Sequence, residues 1–285
     1  MSELLGSAFK NETVQPVSNF VRITEEIDQL LSEDTPDNQK ALEAFVLKRT
    51  SELTATAPET EYITYKKEKP HNGFISPKTE VKGKIMYDGF HLDDPDLYPA
   101  LLNGLKELKS TPGWKEMSIK ALAVPAVNYA VSKYFGSYKI SDEQEKQNAA
   151  HYMNLGAPCS IKEMKGKGIA VCAEKAAAAQ NLLTFLGLDS ELAMADCKLD
   201  PNQEEGPHAY NIVTGPNGHF IFDPTNPIVN DSAEGQPNYL PATYKISDEQ
   251  YESLQNHQAV EVAHTNTKIV DGEQEAETNA RVYNA

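Results

Sequence analysis

Cysteine is scarce in this chain: three in 285 residues, at Cys159, Cys172 and Cys197, with no CxxC pair among them. That excludes a disulfide framework and argues against a structural zinc site. Positive charge is also short, with 26 Lys and Arg against 42 Asp and Glu, a net charge of -16. Neutralising phosphates requires a basic face, so neither nucleic acid nor an anionic membrane surface is an expected partner. No run approaches the ~18 consecutive apolar residues of a spanning helix. The opening MSELLGSAFKNE lacks the cationic lead and apolar stretch of a secretory signal, so a cytoplasmic protein with reduced thiols is expected. Ligand spacing is missing as well. His71, His91, His151, His257 and His264 are scattered, and Asp93, Asp94 and Asp96 sit in no Asp-x-Asp-x-Asp-Gly loop. Neither a metal nor a cofactor is expected. What the chain does have is 40% apolar residues, enough for a folded core.

The first sixty residues read as helical, with Phe20, Ile23, Ile27, Leu30 and Leu31 at helical spacing. The turn SEDTPDN leads to a second helix carrying Leu42, Phe45, Val46 and Arg49, and Thr54–Glu61 reads as a linker. Tyr62–Tyr65 and Val81–Tyr87 are β-like. Asp94-Pro95-Asp96 opens a helix with Leu97, Leu101, Leu105 and Leu108 on one face, closed by Thr111-Pro112-Gly113. The helix starting near Lys115 is expected to break at Pro125. YKISDEQ occurs twice, at Tyr138–Gln144 and Tyr244–Gln250, and in both the Ser-x-x-Gln spacing is that of a capping box. The chain divides into a mainly helical accessory region over 1–112, a core over 113–255 and a loosely attached tail over 256–285.

Chemistry concentrates between Gly166 and Pro227. GKGIAVCAEKAAAAQNLLTFLG places Cys172 in the first turn of a helix with almost no polar face, ended by Gly187. There the helix dipole and unpaired amides stabilise a thiolate. Position alone favours a buried, inert thiol, since free cysteine is among the most buried residue types. Glu174 and Lys175 read as a solvated helix edge, and Cys159 and Cys197 as packing residues. ELAMADCK is a strand, DPNQEEGP an acidic loop, and HAYNIV and HFIF are strands joined by TGPNG. If Gly215 and Gly218 flank a two-residue turn, Tyr210 lies opposite Asp223 and His208 lies diagonal to it on the same face. A slip of one residue would separate them.

GIAVCAEKA, HAYNIV and FDPT together, in this order, resemble the transglutaminase-like superfamily over roughly 160–227. The resemblance implies an α+β, papain-like transglutaminase core: a buried helix carrying Cys packed on an antiparallel sheet carrying His and Asp. It implies Cys172 as nucleophile, His208 as general base and acid, and Asp223 orienting the imidazole; His219 does not match. The family commonly adds a second oxyanion donor from upstream of the cysteine, for which Gln147, Asn148, Tyr152 and Asn154 are candidates.

Such a thiol attacks an amide carbonyl of a protein or peptide, forms a thioester and passes a proton to the departing amine through the imidazole. Water as acceptor gives a cysteine peptidase or glutamine deamidase; a lysine amine gives a crosslinking transglutaminase. Hydrolysis is favoured, because transamidation must shield the thioester from water and no lid is legible. A non-catalytic binding module on the same fold is the competing class. Glu204 and Glu205, just before His208, point to a preference for basic substrates.

Overall fold

The computed structural model describes residues 14–56, 77–81, 84–87, 90–91, 94, 96–136, 159–168, 170–199, 204–215, 218–225, 242–256, 258–270 and 273–283. The fold is α+β, a helical layer against an antiparallel sheet. Two helices come first, α1 (Val14–Leu30) and α2 (Pro36–Thr56), with Phe20, Ile23, Ile27 and Phe45 buried. Thr54–Thr56 belong to α2 rather than to a linker. The β-like Tyr62–Tyr65 lies outside the described residues. Short strands β1 (Pro77–Val81), β2 (Lys84–Tyr87) and β3 (Phe90–His91) follow.

Helix α3 (Leu97–Ser110) buries the predicted leucine face. The Asp94 carboxylate accepts the Asp96 N–H at 3.1 Å and the Tyr134 hydroxyl at 2.6 Å, so this carboxylate is accounted for as the entry to the helix. Helix α4 (Ile119–Phe135) corrects an expectation, because it runs through Pro125 without a break. Proline removes one helical hydrogen bond at a cost of about 3 kcal/mol. Eleven buried residues of α4, packed against α3 and α5, outweigh that local cost. Asp28 of α1 supports the start of α4, accepting the Ile119 N–H at 3.1 Å while binding Lys109 Nζ at 2.8 Å.

Strand β4 (Cys159–Ser160) pairs in parallel with β3, completing a sheet of order β1-β2-β3-β4. Helix α5 (Cys172–Phe185) is the centre of the molecule. Its alanines Ala176–Ala179 are wholly inaccessible, and they let α4 approach on one side and the main sheet on the other. Its end is a Schellman turn: Leu188 N–H binds Leu183 O at 3.0 Å and Gly187 N–H binds Thr184 O at 2.9 Å, with Gly187 at φ +78°. Arg49 of α2 donates to Phe185 O at 3.1 Å and Thr184 O at 3.3 Å, a cation on the negative end of the helix dipole. One apolar cluster therefore runs from Phe20 to Phe222, across the boundary at residue 112.

The main sheet has the order β5-β6-β7-β8: β5 (Asp189–Cys197), β6 (Gly206–Gly215), β7 (Gly218–Asp223) and β8 (Ala242–Ile246), all antiparallel. Leu192, Ala209, Val213 and Phe222 face α5, while Tyr210, Ile212, Ile221 and Tyr244 form a second cluster on the other face. The short helix α6 (Asp248–Gln255) follows, opened by the predicted capping box of Ser247 and Gln250. The first copy of YKISDEQ lies outside the described residues.

The stretch 256–285, expected as a loose tail, contains two strands. Strands β9 (Val260–Val270) and β10 (Glu273–Tyr283) form a hairpin in continuous register, and Val260, Val262 and Tyr283 join the second cluster. Backbone bonds between Val282 and Lys198, 2.8 and 2.9 Å long, fasten β10 to the main sheet. Few apolar residues suffice here, because a hairpin needs only one face buried to dock. Among the described residues, no helix is long and apolar enough to cross a membrane.

Candidate active site

The turn between β6 and β7 decides the geometry. Gly215 pairs with Gly218 and Asn211 with Phe222, a register that carries on to set Tyr210 across from Asp223. His208 then reaches Asp223 diagonally, with Nε2 at 2.8 Å from Oδ2. This is the arrangement expected from the sequence, and a one-residue slip is ruled out. His219 stands apart. It stacks on Tyr251 at 3.9 Å between ring centroids and shares a 2.9 Å hydrogen bond with Thr214.

Cys172 is the first residue of α5 and lies near enough to the same imidazole to raise its proton affinity. Cys172 is 7% exposed, His208 5% and Asp223 0%. Burial works against a charged imidazole. The charge and hydrogen bond of Asp223, joined by those of Cys172, outweigh it and raise His208 from 6.5 to about 10. The ring is thus a cation at neutral pH, adjacent to a sulfur at a helix N-terminus. A cation beside sulfur is the setting in which a cysteine can act as a nucleophile.

Three supports around the site escaped the sequence reading. Glu174 is fully buried rather than solvated, and its Oε2 accepts the Val171 N–H at 2.9 Å. Glu174 occupies the third helical position, so it supplies the return half of a capping box and fixes the backbone just before Cys172. Valine has no acceptor to supply the other half. The signal was legible as a Glu three residues after Val171. Lys175 is also buried, at 7% exposure, where desolvation pushes its ammonium down against the pull of Glu174, Asp223 and Cys172. Both side chains correct the reading of a solvated edge: the whole first turn of α5, Cys172 to Lys175, is buried.

Tyr283 is the third. It is wholly buried, and its hydroxyl donates to Asp223 Oδ2 at 3.1 Å. Thr225 N–H binds the other oxygen, Oδ1, at 3.0 Å. Asp223 therefore accepts three hydrogen bonds and is held in one orientation. The available signal was Asp271-Gly272, a hairpin dipeptide between two β-prone runs.

A separate polar tie fixes α5 on the sheet. Asn211 Nδ2 donates to Ala176 O at 3.0 Å and to Gln180 Oε1 at 3.1 Å, and Gln180 in turn binds Ser190 O. Cys197 is buried at the end of β5, its thiol 3.6 Å from Ala195 O, in a packing position. Trp114 packs part-buried against the core. Gln147, Asn148, Tyr152 and Asn154, the candidates for a second oxyanion donor, lie outside the described residues. No group of His, Cys, Asp and Glu among the described residues could hold a metal ion. No family model matches the chain, and searches of curated proteins and of solved structures find no match.

Proposed function

We propose that the protein is a thiol acyl-transfer enzyme acting on amide bonds of a protein or peptide, of the transglutaminase-like kind, with Cys172, His208 and Asp223 as its triad. The observation that carries the reading is the shared imidazole: through Nε2 it lies 2.8 Å from Asp223 Oδ2, and Cys172 joins Asp223 in raising its proton affinity. In this reading α5 and β5–β8 form the papain-like transglutaminase core. Support comes from a cysteine at the first position of a buried helix packed on an antiparallel sheet, with His and Asp on its adjacent strands β6 and β7.

The Cys172 sulfur attacks the carbonyl carbon as the carbonyl π pair moves onto oxygen. The Cys172 N–H, at the start of α5, is placed to donate to that oxyanion. Collapse restores the carbonyl, breaks the C–N bond and leaves a thioester, while His208 passes its proton to the departing amine. Water, deprotonated by His208, then releases the acid and the free thiol, giving peptide cleavage or glutamine deamidation. A second reading replaces water with a lysine amine. Low exposure of Cys172 and His208 favours it, because a shielded thioester survives long enough for aminolysis.

Alkylation by iodoacetamide, small enough for a mostly covered sulfur, tests the reading. Near neutral pH, Cys172 is expected to react faster than free cysteine, and His208→Ala to remove the excess. An ordinary rate, unaltered by that substitution, defeats the enzyme reading and leaves the binding module. Mass analysis of a glutamine-rich protein incubated with a primary amine then separates the acceptors. Amine addition means transamidation, a gain of about one dalton means deamidation, and backbone cleavage means peptidase.

A further inference from the structure

The hairpin β9–β10 has no part in the mechanism above, yet it brings a polar group into the middle of the site. Tyr283 pairs with Val260 across the hairpin, and the Val282–Lys198 bridge pins the neighbouring residue to the main sheet. The Tyr283 ring packs edge-on against Tyr210 at 4.7 Å and lies 6.4 Å from His208. Its hydroxyl reaches the very oxygen of Asp223 that binds His208. Arg281, two residues earlier on the same strand, lies over the Tyr244 ring at 5.9 Å.

We propose that Tyr283 is a positioning residue for the triad: the hairpin delivers its hydroxyl to Asp223 Oδ2, which fixes the carboxylate towards His208 and draws off part of its charge. The inference rests on the acyl-transfer reading for its consequence in turnover, and on geometry alone for its effect on His208. Burial and the charges of Asp223 and Tyr244 push the Tyr283 hydroxyl up and outweigh the opposing charge and hydrogen bond of Arg281, so it stays protonated and can only donate to a carboxylate. Two donors on one oxygen divide its negative charge between them. Without Tyr283, the imidazolium receives more of that charge but from a less firmly held partner.

Tyr283→Phe keeps the ring and removes only the hydroxyl. Turnover is expected to fall about tenfold in kcat with KM unchanged, the scale of one hydrogen bond to a charged group. The pH limb set by loss of the His208 proton is expected to move up by about half a unit, since more of the carboxylate charge acts on the ring. 3-Fluorotyrosine at position 283, a stronger donor, is expected to move the limb the opposite way, and it serves as the second variant if Tyr283→Phe does not fold. A loss of thermal stability with unchanged kcat and unchanged limb would show a packing role and overturn the proposal. Imidazole NMR titration of His208 separates the two failures. No His208-dependent alkylation of Cys172 in the unsubstituted protein sinks the enzyme reading, whereas His208 titrating identically in all three proteins sinks the role of Tyr283.

Discussion

On one face of the β5–β8 sheet, Ala209, Val213 and Phe222 meet the alanines of α5; on the other, His208, Tyr210 and Asp223 meet Tyr283 of the hairpin. The first contact is apolar apart from the tie through Asn211 and Gln180, and its strength comes from close packing around small side chains. The second is a chain of hydrogen-bonded titratable groups out of contact with water, where each charge acts strongly on the next. Alternation of side chains along β6 lets one strand serve both. The α5 face sets where Cys172 sits, and the hairpin face sets the state of the imidazole it meets.

The largest effects should separate the two faces cleanly. Asp223→Asn is expected to lower kcat by about 10²–10⁴-fold, because the imidazolium loses its partner. Phe185→Ala, at the far end of α5 where Phe45 and Tyr98 pack on it, is expected to cost about 3–5 kcal/mol of stability. Kinetics and urea unfolding of both variants check this. Activity per folded molecule should survive in Phe185→Ala, and its loss there would break the comparison.

Next comes pH. His208 has its proton affinity raised in the folded protein, so the stability it contributes is full below about 6.5 and is lost as pH rises towards about 10. Urea midpoints of the unsubstituted protein should fall over that window relative to His208→Gln, by on the order of a few kcal/mol in unfolding free energy. Parallel curves would mean that Asp223 does not hold the imidazolium. The smallest effect lies outside both faces. Glu204 and Glu205 are exposed just before β6. Changing both to Gln should reduce kcat/KM for a cationic peptide about two- to threefold more than for a neutral one, with the difference vanishing at high salt.

Much of the site was legible in residue order. The turn glycines fix the register of β6 and β7, and register fixes the diagonal between His208 and Asp223, because local turn chemistry and a period of two suffice. Cys172 at a helix start followed from a run of helix formers after two glycines. The misreadings share a cause. Glu174 and Lys175 look solvated in isolation, and Pro125 looks like a break, until neighbouring elements close around them. Tyr283 lies 60 residues from Asp223, and no local pattern joins them.

The helix that begins at Cys172, the hairpin of β6 and β7 and the pairing of His208 with Asp223 follow from residue order, since each depends on residues close in the chain. Tertiary structure alone decided the burial of that pair, the anchoring of α5 by Arg49 at one end and Glu174 at the other, and the arrival of Tyr283 on Asp223. Burial and long-range approach depend on which surfaces pack together, and it is the Asp223 charge and hydrogen bond, prevailing over that burial, that keep the proton on His208.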